Sequence, residues 1–502
     1  MSSINTGHMH TPFLPSLRPF LAPLGGRSDH SPTRSIRQAT LAQIEQRLGK
    51  VIDSKLLNQN DADDYSRERI FTLARTFWCW IWQVLQANTS CREVVRQVQA
   101  LFAIHGRTVD ESSSAYCQAR AKLSLGFLQK VFLSTTTGVE QAAPGWSLLG
   151  GRPLRVVDGS GMRLADTAKN RAAFAPPKNQ PPGTGFPYIK VLVLFSLQSG
   201  AVLAHSIGSL LHHELRLLLG LRKWLKKGDI LVMDRAFGVY LVGALLSQLG
   251  VDLLARLPNS RKMDFRKAFK PLGALDALFI WQKPPNASPL LRSSEWLSLP
   301  AQLTVRVLRA QVYKRGFRVH QLTLVTTLLD PQLYPADQIL EAYLKRWRME
   351  MCFDDLKTTL EMEYLACQTP KMVHKELLIF LTAHNFLRWI MIQAAQSNGT
   401  ELQRISFKGS LDGFRQFTQA LTQIGKTKEG LKKRQQLWMS LLQTLSRDLI
   451  PERPGRREPR AVKRRQKYDY LNKPRCLWKD RPGRRLRAIL KRRQDYIARH
   501  EN

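Results

Sequence analysis

The stretch 154–161 reads Leu-Arg-Val-Val-Asp-Gly-Ser-Gly, and the stretch 230–237 reads Ile-Leu-Val-Met-Asp-Arg-Ala-Phe. In each, a short apolar run typical of a buried strand leads directly into an aspartate. In α/β sheets, ligand sites collect beyond the carboxyl ends of the strands. Asp158 and Asp234 are therefore the first candidates for a functional site, and each is expected at the end of its strand.

The sequence around these two runs predicts an α/β protein of about three domains. Apolar spacing is helical before the first run, mixed around both runs, and helical again afterwards. Four aromatic residues at 77–82 are interpreted as core rather than as a base-stacking platform, and the runs 303–308 and 317–324 predict a hairpin. The expected regions are a disordered N-terminus (1–34), a helical domain (35–145), an α/β domain (146–395) with a β-rich insertion (about 258–330), a helical C-terminal region (396–450) and a basic tail (451–502).

The charge of the chain points to a polyanionic partner. Its 502 residues include 77 Lys+Arg against 39 Asp+Glu, a formal net charge of +38. The tail 451–502 alone holds 19 Lys+Arg and 6 Asp+Glu, with aromatic residues interleaved. Such a segment suits contact with a nucleic-acid backbone together with base stacking. A solvated basic face and an anionic membrane surface are the alternatives, but no lipidation or amphipathic anchor accompanies the charge.

Several classes of protein are excluded by what the sequence lacks. The longest apolar segment, 377–395, is interrupted by His384, Asn385 and Arg388, so we expect no membrane span. The six cysteines contain no Cys-x-x-Cys pair, which argues against a disulfide framework and a standard structural zinc site. No phosphate-binding Gly-rich loop with Lys-Ser/Thr occurs, so ATP dependence is not expected. The reduced cytoplasm is the simplest compartment.

The third candidate acid comes from a helix that is predicted to begin after Pro335 and to continue to about Leu360. At 3.6 residues per turn, four polar residues of this helix fall within a stripe of roughly 60°. They are Tyr343, Arg346, Glu350 and Lys357. An apolar face adjoins the stripe and would seat the helix on the core. A purely solvated charged face would not explain that arrangement.

Three other acids compete with this assignment. Asp354 lies beside the polar stripe and is a rival to Glu350, although it could simply pair with Lys357 three residues on. Asp166 lies in the loop after Asp158 and is a weaker candidate. Asp229 is rejected because it precedes its strand, at the end opposite to Asp234.

Converging carboxylates on separate elements suit hard divalent cations. Mg²⁺ prefers carboxylate oxygens and retains several waters. Two such ions about 4 Å apart stabilise both the attacking and the leaving oxygen of an in-line phosphoryl displacement. Arg346 and Lys357 could grip phosphates, the first as a planar fork and the second as a point charge.

The spacing Tyr343-x-x-Arg346-Trp347-x-x-Glu350 followed by Lys357 resembles the Y-(2)-R-(3)-E-(6)-K signature of bacterial insertion-sequence transposases of the DDE type. The segments 158–160 and 234–237 resemble the first and second acid motifs of that family, with Ala236 where Gly is usual. The resemblance spans roughly residues 60–475. The three motifs in this order are far more specific than any one of them.

The resemblance implies an RNase H-like catalytic core with the β-rich insertion between the second Asp and the Glu. Asp158, Asp234 and Glu350 would then be the catalytic, metal-binding triad for two Mg²⁺ ions, with Mn²⁺ as a substitute. The residues expected to contact DNA are Tyr343, Arg346, Trp347, Lys357 and Arg235.

The family's reaction is cut-and-paste transposition, in which water and then the liberated 3′-hydroxyl attack phosphodiesters. The implied partners are the terminal inverted repeats of the element and the target DNA, both double-stranded. The helical domain 35–145 is expected to bind DNA, and the protein is expected to act as a homodimer in the bacterial cytoplasm, associated with the nucleoid.

Two other functions stay open at the level of sequence. A tyrosine recombinase would use Tyr343 beside Arg346 as a covalent nucleophile, but the Arg/His cluster of such enzymes is missing. A decayed or repurposed transposase could act as a non-catalytic DNA-binding repressor. The complete set of three acids argues against decay.

Overall fold

The computed structural model describes most of the chain between residues 70 and 451. The described residues are 52, 56, 70–86, 89–103, 106, 108–145, 147–176, 180–181, 183–258, 260–311, 321–422, 424, 427–451 and 470–475, without the side chains of 347–350, 419, 421 and 422. The predicted disordered N-terminus and most of the basic tail lie outside these residues.

The helices that the structure describes before the sheet are α1 (Leu73–Leu85), α2 (Cys91–Ala103), α3 (Ser114–Lys122) and α4 (Leu125–Ala142). Helix α1 begins where the Thr72 side chain accepts a hydrogen bond from the backbone N–H of Arg75, an ordinary N-cap. Phe77, Trp78 and Trp80 are at most 1% exposed. The interpretation of this aromatic cluster as core is therefore confirmed.

The mixed α/β architecture predicted from the sequence is confirmed by a single ten-stranded sheet with helices around it. Its first half consists of β1 (Leu154–Leu164), β2 (Tyr188–Ser196), β3 (Val202–Ser209), β4 (Ile230–Met233) and β5 (Asp252–Arg256). They lie in the order β3-β2-β1-β4-β5. β1, β4 and β5 are parallel, whereas β2 runs antiparallel to both of its neighbours. Three helices accompany these strands: α5 (Ala168–Ala173), α6 (Glu214–Leu221) and α7 (Tyr240–Gln248).

The segment after β5 continues the same sheet. It contains β6 (Lys270–Gly273), β7 (Asp276–Gln282), α8 (Ser293–Leu297), β8 (Gln302–Gln311) and β9 (Gln321–Thr326). β9 pairs antiparallel with β5, so these strands extend the sheet instead of forming a separate one. The predicted hairpin exists as β8 and β9, which pair antiparallel. The turn predicted at 314–316 lies outside the described residues.

The helix predicted after Pro335 begins as α9 (Ala336–Asp354), and the chain stays helical to Thr359, close to the predicted end at about Leu360. At Asp355 the chain enters a π-helical turn, Asp355–Thr359, so the 3.6-residue period stops before Lys357. A π-helical turn contains an extra residue, which changes the direction in which later side chains point. A short strand, β10 (Tyr364–Leu365), then pairs parallel with the end of β1.

The central helix of the molecule is α10 (Pro370–Asn398), followed by α11 (Phe407–Thr422) and α12 (Lys428–Arg447). Thr369 caps its start with Pro370 as the first residue, and Gly399 ends it in the left-handed conformation. It is the one described helix long and apolar enough to cross a membrane, but 94% of its most apolar window is buried. It is thus weak evidence for a membrane span and good evidence for a core helix.

The two faces of the sheet contact different apolar clusters. Side chains at alternate positions of a strand point to opposite faces. Val156, Val232 and Leu254 belong to one cluster, which also contains side chains of α1, α4, α9, α10 and α12. Val157 and Met233 belong to the other, with α6, α7 and the strands of the insertion.

Candidate active site

The register of the parallel strands aligns the two aspartates. Leu154 pairs with Ile230, and Val156 pairs with Val232. Carrying this register two residues further sets Asp158 opposite Asp234, on neighbouring strands about 4.8 Å apart. Both carboxylates are half-buried and lie on the face of the sheet that carries Val156 and Val232.

The prediction that Asp158 ends its strand is wrong. β1 continues to Leu164, and Asp158 pairs with Val193 of β2 in the middle of a nine-residue antiparallel ladder. What ends near Asp158 is the parallel pairing with β4, which is the shorter strand. The aspartate therefore lies where β1 loses one neighbour, and this exposes its side chain beyond the last residue of β4.

Helix α9 packs on β1, β4 and β5, the two strands that lead to these aspartates and their neighbour. Tyr343 of α9 is fully buried, and its hydroxyl interacts electrostatically with Arg346, Asp234 and Arg256. The helix that carries Glu350 is therefore held against the same face as the two aspartates.

Tyr343 and Arg346 are both withdrawn from solvent, with exposed fractions of 0% and 6%. The Arg346 guanidinium carbon lies 5.7 Å from the centre of the Tyr343 ring. Burial raises the pKa of the Tyr343 hydroxyl, and only part of this effect is offset by Arg346. A buried phenol with a raised pKa is poorly suited to covalent attack on DNA, which argues against a tyrosine recombinase.

Glu350 lies on α9, seven residues after Tyr343. The side chains of Glu350 and Trp347 lie outside the described part of the structure. Asp354, the rival acid, accepts a hydrogen bond from the Thr358 hydroxyl at 2.9 Å.

The other two predicted DNA contacts lie on local irregularities of the chain. Lys357 lies in the π-helical turn, and its Nζ is 3.3 Å from a carboxylate oxygen of Glu363. The ion pair considered between Lys357 and Asp354 is thus replaced by one with Glu363. Arg235 is exposed in a 3₁₀ turn that directly follows Asp234.

The remaining acids have structural partners. Asp229 is 3% exposed, lies 3.2 Å from the Arg155 guanidinium and accepts the backbone N–H of Lys226. Asp166 is bound by two guanidinium groups, those of Arg171 at 2.6 Å and Arg475 at 2.8 Å. Asp229 thus has structural partners before β4, and Asp166 holds the segment 470–475 through Arg475.

Sequence reasoning missed Arg256. Met233 pairs with Ala255, so the next step of the register sets Asp234 opposite Arg256, the last residue of β5. Asp158, Asp234 and Arg256 thus form a row across three parallel strands. The signal was available, because Arg256 follows a buried apolar run as the two aspartates do.

A basic cavity lies beside this row at the start of the insertion. It has a volume of about 410 Å³ and is lined by Arg256, Arg261, Lys262 and Arg309 among others. The Arg261 guanidinium lies 4.4 Å from the centre of the Trp281 ring, and that of Arg309 lies 4.9 Å from the Phe265 ring. Aromatic faces therefore hold two of the cations in place.

Comparisons with known proteins match the chain to transposases. Residues 149–386 match the family described as transposase DDE domain, a region that includes all three predicted acids. The chain is 25% identical over 358 residues to "Transposase InsG for insertion sequence element IS4" from Escherichia coli (strain K12), covering 70% of this chain and 77% of that protein. The piggyBac transposase synaptic complex with hairpin DNA has a TM-score of 0.37 and 11% identity, covering 86% of this chain and 87% of that chain, which is too low to establish a common fold.

The protein is therefore a DNA transposase with a DDE domain, an enzyme of the metal-dependent nuclease and strand-transferase class. Within that class it is a DDE-type insertion-sequence transposase.

Proposed function

We propose that the protein catalyses cut-and-paste transposition, with Asp158, Asp234 and Glu350 as the catalytic triad. We also infer that β1–β5 and α9 form an RNase H-like core, and that the strands between β5 and α9 are an insertion in it. The strand order β3-β2-β1-β4-β5, with β2 antiparallel, supports this inference. The observation that carries the proposal is the register that aligns Asp158 with Asp234 beneath the helix of Glu350.

The donor set suits Mg²⁺. Two half-buried carboxylates on adjacent strand positions offer hard oxygen ligands, and no softer donor is part of the set. Asp158, Asp234 and Glu350 would hold two Mg²⁺ ions, or Mn²⁺ in their place. When bound, the ions stabilise negative charge on the attacking and leaving oxygens of a phosphodiester.

The chain's own cations would orient the DNA around these acids. Arg256 lies next to Asp234 in the row and would bind a phosphate close to the scissile one. Arg346 and Tyr343 are both buried, so their main role would be to fix the position of α9. Their contact with DNA would be limited to the part of the DNA that lies closest to the sheet. Lys357, Trp347 and Arg235 are proposed to contact the backbone of the same DNA segment.

The partners and organisation follow from the same proposal. The substrate is double-stranded DNA, both the terminal inverted repeats of the element and the target, and a homodimer would pair the two ends. The helical region 35–145 and the tail 451–502 are proposed to bind DNA outside the catalytic region 146–395, while 396–450 packs against it. The net charge of +38 supports these contacts. We propose that the protein acts in the bacterial cytoplasm at the nucleoid.

The test is cleavage of DNA that carries the ends of the element, with Mg²⁺ present. Asp158→Asn, Asp234→Asn and Glu350→Gln keep the shape of each side chain and remove a charge. Metal-assisted stabilisation contributes several kcal/mol, so each variant is expected to cleave on the order of a thousandfold more slowly. Asp264→Asn is the matched control, because Asp264 lies in the insertion and pairs only locally with Arg266.

The outcomes separate this function from its alternatives. Full cleavage by any one of the three variants removes that residue from the triad. Binding of the end DNA without cleavage by the wild type would favour a non-catalytic repressor. A covalent protein–DNA adduct that disappears in Tyr343→Phe would instead identify a recombinase.

A further inference from the structure

A second group of metal-ligating side chains lies apart from the row of aspartates. It consists of Cys352, Asp355 and His384, and their ligand atoms all lie within 4.8 Å of one another. Cys352 and Asp355 are three residues apart, at the junction of α9 and the π-helical turn, and so share one side of the chain. His384 comes from the middle of α10, which packs against that turn.

The buried side chain of His384 lacks, within the described part of the chain, the hydrogen-bond partners that would stabilise it. The side chain is 0% exposed, and among the described residues neither of its ring nitrogens has a hydrogen-bond partner. Its ring is stacked on Phe407 at 5.2 Å, and the Phe195 ring lies 6.4 Å away. An imidazole buried among aromatic rings with two unpaired nitrogens costs free energy unless something binds it.

The surroundings offer room for a further donor. A cavity of about 310 Å³ is lined by Cys352 and Asp355 together with Glu401 and Gln403. The amide oxygen of Gln403 is also buried and has no hydrogen-bond partner among the described residues. A polar cavity of this size accommodates waters that could complete a coordination shell.

We propose that Cys352, Asp355 and His384 bind one Zn²⁺ ion as a structural site. Thiolate, imidazole and carboxylate together match the ligands of zinc, and soft sulfur disfavours Mg²⁺. Tetrahedral coordination requires the three donors to approach by about 1 Å from their present separation. A further donor from the cavity, such as a water, would fill the fourth position. Sequence patterns missed this site because its only cysteine has no neighbouring partner.

The charges are consistent with a cation here. A thiolate and a carboxylate balance the two charges of the ion, so that no net charge is buried by the three ligands and the metal together. Arg388, one turn beyond His384, interacts electrostatically with Asp355 and donates to the carbonyl of Ser199 at 2.9 Å. An arginine in this place acts as an outer partner that orients the ligating carboxylate.

The ion would join the end of α9 to α10. Cys352 follows Glu350 by two residues, and Asp355 precedes Lys357 by two. The zinc would therefore hold the segment between Glu350 and Lys357, including the start of the π-helical turn, in its present geometry. The zinc site can exist whether or not the proposed triad is correct. Its role in positioning Glu350 for catalysis rests on the proposed function.

The experiment uses the full-length protein. We expect about one zinc per chain by elemental mass spectrometry, and after chelation Co²⁺ should give the thiolate-to-cobalt charge-transfer band and the visible bands of a tetrahedral site. Cys352→Ala should abolish the charge-transfer band, and Cys367→Ala is the matched cysteine control that should retain it. Asp158→Asn should also retain it, because the band does not arise from the catalytic carboxylates.

Two further variants test the site independently, in case Cys352→Ala does not fold. Asp355→Asn and His384→Gln should weaken Zn²⁺ binding by more than the roughly 10–100-fold that loss of an outer partner causes, with unchanged far-ultraviolet circular dichroism. Zinc should raise the unfolding temperature of the wild type and not that of these variants. The absence of a charge-transfer band in the wild type, or its persistence in Cys352→Ala, would overturn the proposal.

Discussion

At the scale of single residues, Arg256 tests whether the row across β1, β4 and β5 continues beyond the acids. Arg256→Gln should slow cleavage of end DNA about tenfold or more, because a planar guanidinium next to Asp234 would be lost from a phosphate. Arg256→Lys should recover part of the rate, since the charge returns without the fork. Gel-based cleavage rates at several DNA concentrations provide the measurement.

The matched control for that change is Arg266→Gln, an exposed arginine in the insertion that pairs with Asp264 outside the basic cavity. It should cleave at the rate of the wild type. If Arg256→Gln and Arg266→Gln behave alike, Arg256 has no part in the site and the row ends at Asp234.

His205 of β3 gives a pH dependence of stability. Burial lowers the pKa of His205 from 6.5 to about 4, with a smaller contribution from His374. Between these values the unfolded chain binds a proton that the folded protein excludes, so stability is lost as pH falls from 6.5 towards 4. Compared with His205→Gln, the wild type should lose up to about 3 kcal/mol across this window.

Urea unfolding at pH 7 and at pH 4.5 measures this difference, with His213→Gln at an exposed position as the matched substitution. The stability of His205→Gln should depend less on pH than that of the wild type. Equal pH dependence of the two proteins would mean that His205 becomes protonated without hindrance in the folded state.

At the scale of elements, Asn385 holds α10 against the edge of the sheet. Its side chain accepts from the N–H of Val202 and donates to the carbonyl of Val202, both at 2.8 Å, and it also contacts the Thr136 hydroxyl of α4 at 3.2 Å. β3 is an edge strand, so this amide takes the place of a neighbouring strand at its first residue. Asn385→Ala should destabilise the protein by about 1–3 kcal/mol, because the buried N–H of Val202 loses its partner, while the carbonyl of Val202 keeps only the bond from the Thr136 hydroxyl.

The control on the same helix is Gln396→Ala, which removes one exposed hydrogen bond to the carbonyl of Ala142 and should cost less than about 1 kcal/mol. Denaturant unfolding of both variants gives the comparison. Similar losses in the two would show that the contact of α10 with β3 does not depend on Asn385.

The elements also show how far the sequence could predict the site. Asp158 and Asp234 were predicted as site residues because each follows an apolar run, and this prediction does not depend on the strand end that was wrong for Asp158. The π-helical turn was not predictable, since the apolar period of α9 runs on through Leu356 and Leu360 and nothing in it marks an extra residue. The antiparallel pairing of β5 with β9 joins segments about 70 residues apart. Local sequence patterns cannot predict such a long-range pairing.

At the scale of the whole molecule, most of the sheet and both terminal helical regions share one buried core. The cluster that includes Val156 also contains side chains of α1 and α12, from opposite ends of the described chain. Sequence patterns separated these regions because each has its own helical period. They could not reveal that Arg120 of α3 donates to the sulfur of Cys367, 247 residues later, since such contacts arise only from the folded arrangement.

The last prediction concerns the basic tail and the net charge of the molecule. Tyr470 forms a bridge with Gly185, and Arg475 donates to Asp166 and to the carbonyl of Gly183, so residues 470–475 are attached to the catalytic region. A truncation for testing DNA contact should therefore begin at 476, which removes nine Lys+Arg and three Asp+Glu and leaves this attachment intact. Affinity for duplex DNA should fall, and so should its dependence on salt.

The salt dependence is the more informative quantity, because each phosphate contact contributes about 0.9 to the slope of log affinity against log salt. Fluorescence anisotropy at several salt concentrations should give a slope lower by at least about one such contact in the truncated protein. A double variant of α12, Lys428→Gln with Lys432→Gln, removes exposed charge from another surface and should leave the slope nearly unchanged. If truncation lowers affinity at every salt concentration equally, the tail acts through folding or dimerisation, and the phosphate contacts lie on the catalytic region instead.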